Sequence, residues 1–249
     1  MSTAAAVQKL QQAKEASDAL ASVPEVAGVV LFGSVARGRA SRDSDIDLLI
    51  LVTADDLEIT DLRHHLPISL REVPISLSSH TSDGLAAYIR RWSRFGAHLR
   101  QEGKILHDTG DQLRTLLSDE VPISVESELD TQQHHLQTYK HVERFGGRFL
   151  FPLAHLHRIG RATAYALLAK EGVLEFDGKS AFQELLARHP TWTEDINVIM
   201  SLGPFYKRVR IDSSDIELPF DPTGPEAERK LVEAREAISR LLERSRELP

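Results

Sequence analysis

Between two apolar runs, Val26 to Phe32 and Leu48 to Val52, stands the stretch Gly33-Ser34-Val35-Ala36-Arg37-Gly38-Arg39-Ala40-Ser41-Arg42-Asp43-Ser44-Asp45-Ile46-Asp47. It reads as strand, glycine turn, short helix, loop, and a second strand that begins with two acids separated by one residue. Side chains alternate faces along a strand, so Asp45 and Asp47 point the same way while Ile46 points into the core. Two carboxylates then share one small volume. Left alone they repel and one tends to hold its proton; a divalent cation between them removes the conflict. The pair asks for a metal.

A chain of 249 residues, 41% hydrophobic and 27% charged, can bury the core that such strands need, as one large domain or two of ordinary size. It has no Cys, which excludes a disulfide framework, thiolate zinc sites and cysteine nucleophiles. The start, Met1 to Ala6, lacks the basic and apolar pattern of a secretory signal, and no apolar run approaches the roughly 20 residues that span a bilayer. A cytoplasmic protein with no membrane partner is expected. The formal net charge of −7 argues against wholesale coating of nucleic acid, although local basic stripes remain.

In chain order, Ala4 to Ala21 has the composition of a helix, stopped by Pro24. Val26 to Phe32 is too apolar to be half exposed and is expected at the centre of a sheet. After the second strand, Ala54 to His65 reads as a helix with Asp55, Asp56 and Glu58 at its start. A third strand is expected within Val73 to Ser79, at an edge or irregularly paired because of Pro74. Leu85, Ala86, Tyr88, Ile89, Trp92, Phe95 and Leu99 follow helical spacing up to Gly103, and Lys104 to His107 is a short extended piece. The acidic segment Ser118 to Asp130, with Ser and Pro, is the best linker. Helices are then expected over Leu129 to Phe145, Phe149 to Glu171, Ser180 to His189, Thr193 to Lys207 and Glu226 to Glu247. The reading is an α/β (α+β) domain with a short mixed sheet over 1–110, then an all-α helical bundle over 111–249, with the linker at about 118–130.

Gly33-Ser34, Arg37-Gly38 and Ser44-Asp45-Ile46-Asp47, in this order between two apolar strands, resemble the signature of the DNA polymerase β-like nucleotidyltransferase superfamily, closest to its minimal and aminoglycoside-type members. The resemblance is strong over Val26 to Val52 and weak beyond about His107. It implies that Asp45 and Asp47 hold one or two Mg²⁺ ions that grip the triphosphate of an NTP, and that Gly33, Ser34, Arg37 and Ser44 line the nucleotide site. Backbone N–H groups after Gly33 and the Ser34 hydroxyl suit phosphate. Arg37 either neutralises phosphate charge or stabilises the turn by bonding carbonyls or Asp43. Ser44 suits a loop or cap role more than a substrate contact, and Arg39 and Arg42 suit a solvated loop. For Asp45 and Asp47 the structural alternative is an acidic strand end facing water.

Active members of the family usually carry a third carboxylate on a neighbouring strand. Aligned by its apolar positions, the expected strand puts that acid at Pro74 or Ser76, neither of which can do the job. Glu72 shares their face by the period-two rule, displaced toward the strand's start by about 7 to 14 Å, and is the candidate third catalytic residue. Asp83 and His80 are possible substitutes, more often capping or loop residues.

In the helical half, Lys140, Arg144 and Arg148 recur every four residues, followed by His155, His157, Arg158 and Arg161. They are either a positive wall over the cleft or an ordinary charged helix face. Gln101 to Leu106 resembles the end of the family's domain rather than a site. The expected activity is transfer of NMP, AMP first, from NTP to a hydroxyl of a small-molecule acceptor, with RNA or protein acceptors also open, and with release of pyrophosphate. The alternative is a catalytically weak regulatory or antitoxin-like interaction protein, which the missing third acid supports.

Overall fold

The computed structural model describes residues 4–42, 44–54, 57–211 and 216–248. Asp43, Asp55 and Asp56, which enter the sequence reading above, lie outside them. Contacts divide the chain into two compact units, Met1–Ile123 and Ser124–Pro249.

The first unit runs α1 (Ala4–Ala21), β1 (Val26–Phe32), α2 (Gly33–Ala36), β2 (Ile46–Val52), α3 (Ile59–His64), β3 (Ile75–Thr81), α4 (Ser82–Arg91), α5 (Ser93–Glu102), β4 (Lys104–Asp108) and α6 (Gln112–Ser118). Its sheet has the order β3-β2-β1-β4, with β1 antiparallel to both β2 and β4 and β2 parallel to β3. As expected, the sheet is mixed, β1 is central, and β3 forms one edge. Period-two alternation sorts the side chains into two clusters. On one face Val29, Leu31, Ile46, Leu48, Ile50 and Ile75 pack with residues of α1 and α3 such as Ala13, Leu20 and Leu62. On the other, Val30, Leu49 and Leu51 meet Leu85, Ile89, Leu99 and Leu113 from α4, α5 and α6.

Two expectations change. The single helix expected through Leu85 to Leu99 is two helices, because Trp92 leaves the helical region (φ −119°, ψ 64°) and lets Ile89 and Leu99 pack into the same cluster. The division of the chain falls at 123/124 instead of 110/111. The reason is α6, which packs on β1: a Cβ at Gly28 would run into the Leu113 side chain, so only glycine lets the helix come so close.

The second unit contains α7 (Val125–Gln137), α8 (Leu150–Lys170), α9 (Gly178–Arg188), α10 (Thr193–Met200), α11 (Gly203–Ile211) and α12 (Pro225–Arg244). Helix α8 is apolar on most of its circumference, burying Leu153, Leu156, Ile159, Thr163, Leu167 and others, so it is surrounded by its neighbours. The amphipathic α12 lays Leu231, Ala234, Ile238 and Leu241 into the same cluster. Lys140, Arg144 and Arg148 do not form one helix face. Helix α7 stops at Gln137, residues Val142–Phe145 are a 3-10 turn, and Gly146 is left-handed at φ 54°. Among the described residues no helix is long and apolar enough to cross a membrane.

Candidate active site

Strand β1 ends at Phe32, and the backbone swings through Gly33 at φ +72°, a conformation that a side chain disfavours. The turn is then closed by Arg37 N–H on Gly33 O (3.2 Å), Gly38 N–H on Val35 O (3.0 Å) and Arg39 N–H on Ser34 O (3.0 Å). Helix α2 is only four residues long, so any anion site here depends on individual N–H and O–H groups more than on a helix dipole.

Asp47 lies opposite Phe32 on β1 and beside Ser76 on β3. A Cβ built on Gly33 would run into Asp47 Oδ2, so the carboxylate rests directly over the turn's backbone. Turn and acid are therefore in direct proximity. Asp45 sits one residue before β2, and both acids are half-exposed while Ile46 between them is fully buried. The Ile46 N–H donates to Pro74 O at 2.9 Å, which ties the acid-bearing end of β2 to the start of β3. Ser44 is taken up by the loop: its Oγ accepts from the Ser41 N–H at 2.9 Å and lies 3.2 Å from Ser41 Oγ.

Ser76 occupies the register position next to Asp47, and the Ser76-Ser78-His80 row continues along the same face. Strand β3 starts at Ile75, so Glu72 lies before it, exposed, in the turn where Val73 N–H bonds Leu70 O at 3.1 Å. The period-two argument that put Glu72 on the face of Ser76 does not apply to a turn residue. Thr81 and not Asp83 caps α4, accepting from the Gly84 N–H at 3.3 Å. The His80 ring lies tilted against Tyr88, centroids 5.0 Å apart, and stands four residues from Ser76, or about 13 Å along a strand. Among the described residues no group of three or more His, Cys, Asp or Glu side chains could hold a metal ion. A pair of carboxylates remains, and Mg²⁺ suits that donor set: it is commonly held by one or two carboxylates with the rest of its octahedron filled by water and substrate phosphates.

Sequence reasoning missed the side chains behind the turn. Arg37 donates from Nη1 to Glu102 Oε2 at 2.7 Å, and His98 Nε2 lies 3.0 Å from the same oxygen. The His98 ring meets Phe32 edge-on at 5.8 Å, as Phe95 does at 5.5 Å. Burial pushes the His98 imidazole below its ordinary value; Glu102 opposes the shift, and Arg37 and Arg94 add to it. A cleft of about 370 Å³ opens beside them, lined by Ala36, Arg37, Arg39, Gln101, Glu102, Gly103 and Lys104. The one signal in sequence was the i, i+4 spacing of His98 and Glu102 just before Gly103.

Comparison with known families decides what this geometry belongs to, because residues 11–134 match the nucleotidyltransferase domain model. These residues are a nucleotidyltransferase domain. Over 94% of this chain and 99% of the other, the fold is similar to that of spectinomycin adenyltransferase AAD(9) from Enterococcus faecialis, solved with ATP and spectinomycin (TM-score 0.53, 12% identity). At that identity the likeness is one of fold. A toxin–antitoxin structure with AMP-PNP (20% identity, 51% of this chain, 90% of the other) gives a TM-score of 0.32. A nucleotidyltransferase-like protein from Exiguobacterium sibiricum (15% identity, 94% of this chain, 74% of the other) gives 0.37. No curated protein matches the chain by sequence.

Proposed function

We propose that the nucleotidyltransferase domain uses Mg²⁺ to transfer NMP, AMP first, from an NTP to a hydroxyl of a small-molecule acceptor, releasing pyrophosphate, in the cytoplasm. The observation that carries this reading is the Asp47 carboxylate lying over the Gly33 backbone, which joins the glycine turn to a pair of acids. In this reading Asp45 and Asp47 hold the metal, and the Ser34 hydroxyl and the N–H groups of the turn bind the phosphates. Bound between the acids, Mg²⁺ would polarise the α-phosphate, lower the pKa of the acceptor hydroxyl and stabilise the leaving pyrophosphate. The fold neighbour solved with ATP and spectinomycin supports the choice of ATP and of a small acceptor.

Ser76 beside Asp47 favours a modest rate. A well-placed general base is worth about 10² to 10⁴ in rate, and a serine in that position cannot supply it. The same observation keeps a second reading in play: a regulatory or antitoxin-like partner that binds nucleotide without efficient turnover.

The two readings separate when each labelled NTP is offered with Mg²⁺ and a panel of hydroxyl acceptors. Label should pass to an acceptor, and Asp47→Ala should reduce transfer by about 10³ or more, as loss of a group that stabilises transition-state charge does. The same variant should lose Mn²⁺ binding followed by electron paramagnetic resonance. Nucleotide binding without transfer would turn the assignment to the regulatory partner, and no binding of any NTP at millimolar concentration would remove both readings.

A further inference from the structure

The shielded charges behind the turn have no part in the reaction as derived so far. Arg37 and Glu102 are 11% and 19% exposed at their side chains, so their 2.7 Å contact is largely screened from water. Glu102 ends α5 and His98 stands one helical turn before it, its Nε2 3.0 Å from the carboxylate oxygen that Arg37 uses. His98 in turn packs on Phe32, the residue before Gly33 and the cross-strand partner of Asp47. A closed circuit thus runs from the phosphate turn through Arg37, Glu102, His98 and Phe32 back to the turn and the acid pair.

Charge-assisted bonds between shielded groups are short, directional and stronger than neutral ones. A guanidinium already bound to a carboxylate offers less net charge to a phosphate, and it serves better as a strut. The strut has something to hold: the turn takes Gly33 and Gly38 at positive φ, +72° and +71°, and glycine, which reaches that conformation without strain, is equally free to leave it, so contacts from outside must fix the turn's shape.

We propose that Glu102 is a positioning residue, which through Arg37 holds the Gly33–Arg39 turn in the shape that receives the phosphates of the nucleotide, with His98 orienting its carboxylate. The inference rests on the NTP-binding reading above. It differs from a direct phosphate role for Arg37, because the guanidinium acts through the turn.

The test compares Glu102→Gln, which keeps the size of the side chain, with the exchange Arg37→Glu plus Glu102→Arg. In Glu102→Gln the KM for Mg-ATP should rise about tenfold while kcat changes by less than about threefold, the pattern of weakened substrate binding without lost transition-state contacts. The exchange should bring KM back to within about threefold of the wild type, since it restores the ion pair with its ends reversed. Amide hydrogen exchange of residues 33–39 should quicken in Glu102→Gln and slow again in the exchange variant, with no nucleotide present. A KM that falls would mean that Glu102 competes with phosphate for Arg37, and an exchange variant that does not recover would mean that Arg37 touches phosphate itself. Either result, or unchanged amide exchange in Glu102→Gln, overturns the proposal. If the wild type binds no NTP, the functional reading fails, while the amide exchange still decides whether the strut exists.

Discussion

The start of β2 and the middle of α8 each gather titratable side chains, and they deploy them in opposite ways. Asp45 and Asp47 stand half-exposed at a strand end, with the Asp47 carboxylate against the Gly33 turn. On α8, His157 donates from Nδ1 to Ile199 O at 3.0 Å, and Arg161 donates to the Tyr206 hydroxyl at 3.1 Å with its guanidinium 4.7 Å from that ring's centroid. His155 meets the Tyr139 hydroxyl through Nδ1, while Arg158 donates to its Nε2 at 2.6 Å. These groups answer to one another and to backbone carbonyls. A cluster of polar residues marks a site when its members converge on shared open space, and marks packing when they satisfy each other.

The largest effect that would sharpen this contrast, after loss of Asp47 itself, comes from Gly33→Ala. Left-handed backbone costs a non-glycine residue roughly 1–2 kcal/mol, and the new methyl also displaces the Asp47 carboxylate. Transfer should fall by about 10², with Mn²⁺ affinity falling alongside, because one methyl disturbs both turn and metal site. Normal metal binding in Gly33→Ala would break the claim that the two are joined. A smaller effect, of opposite sign, is expected from Ser76→Asp, which puts a third acid in register with Asp47. Metal affinity should rise about tenfold and transfer should gain, since a third oxygen donor completes the cation's shell. Weaker metal binding would mean that β3 does not contribute to this site and that the added charge only crowds the pair.

Much of the first unit was legible because its signals are local. Two apolar strands around a glycine turn and an acid pair bring their own contacts, and period-two alternation carries Asp47, Leu49 and Leu51 to one face. The alignment of apolar positions left Pro74 or Ser76 beside the acid pair, and the observed register pairs Ser76 with Asp47. The placing of Glu72 on the face of Ser76 fails, because a strand's alternation was extended into residues that the chain uses for a turn. Arg37 and Glu102 pair across the fold, 65 positions apart, and nothing local announces a partner at that distance. Likewise Lys140, Arg144 and Arg148 had helical spacing, yet spacing has meaning only while the helix lasts, and α7 ends at Gln137, before the first of them.

The smallest of these effects tests the α8 side. Burial pushes the His157 imidazole down to about 4, the Ile199 carbonyl working against the shift and Arg161 with it. Burial, then Arg158 and His135, push His155 down to about 4 as well. In the unfolded chain both titrate near the ordinary 6.5. Between pH 6.5 and 4 the unfolded state therefore binds more protons than the folded one, so stability rises with pH across that window and is lost as pH falls through it. The melting midpoint of the transition that involves α8 should drop by several degrees from pH 7 to pH 4.5, and His157→Gln should flatten part of the slope. The mutant's nucleotide affinity at pH 7 discriminates further. If these side chains serve packing, His157→Gln lowers the midpoint and leaves the Kd for Mg-ATP where it was; a weakened Kd with an unchanged midpoint would move α8 from packing to the site and dissolve the contrast with β2.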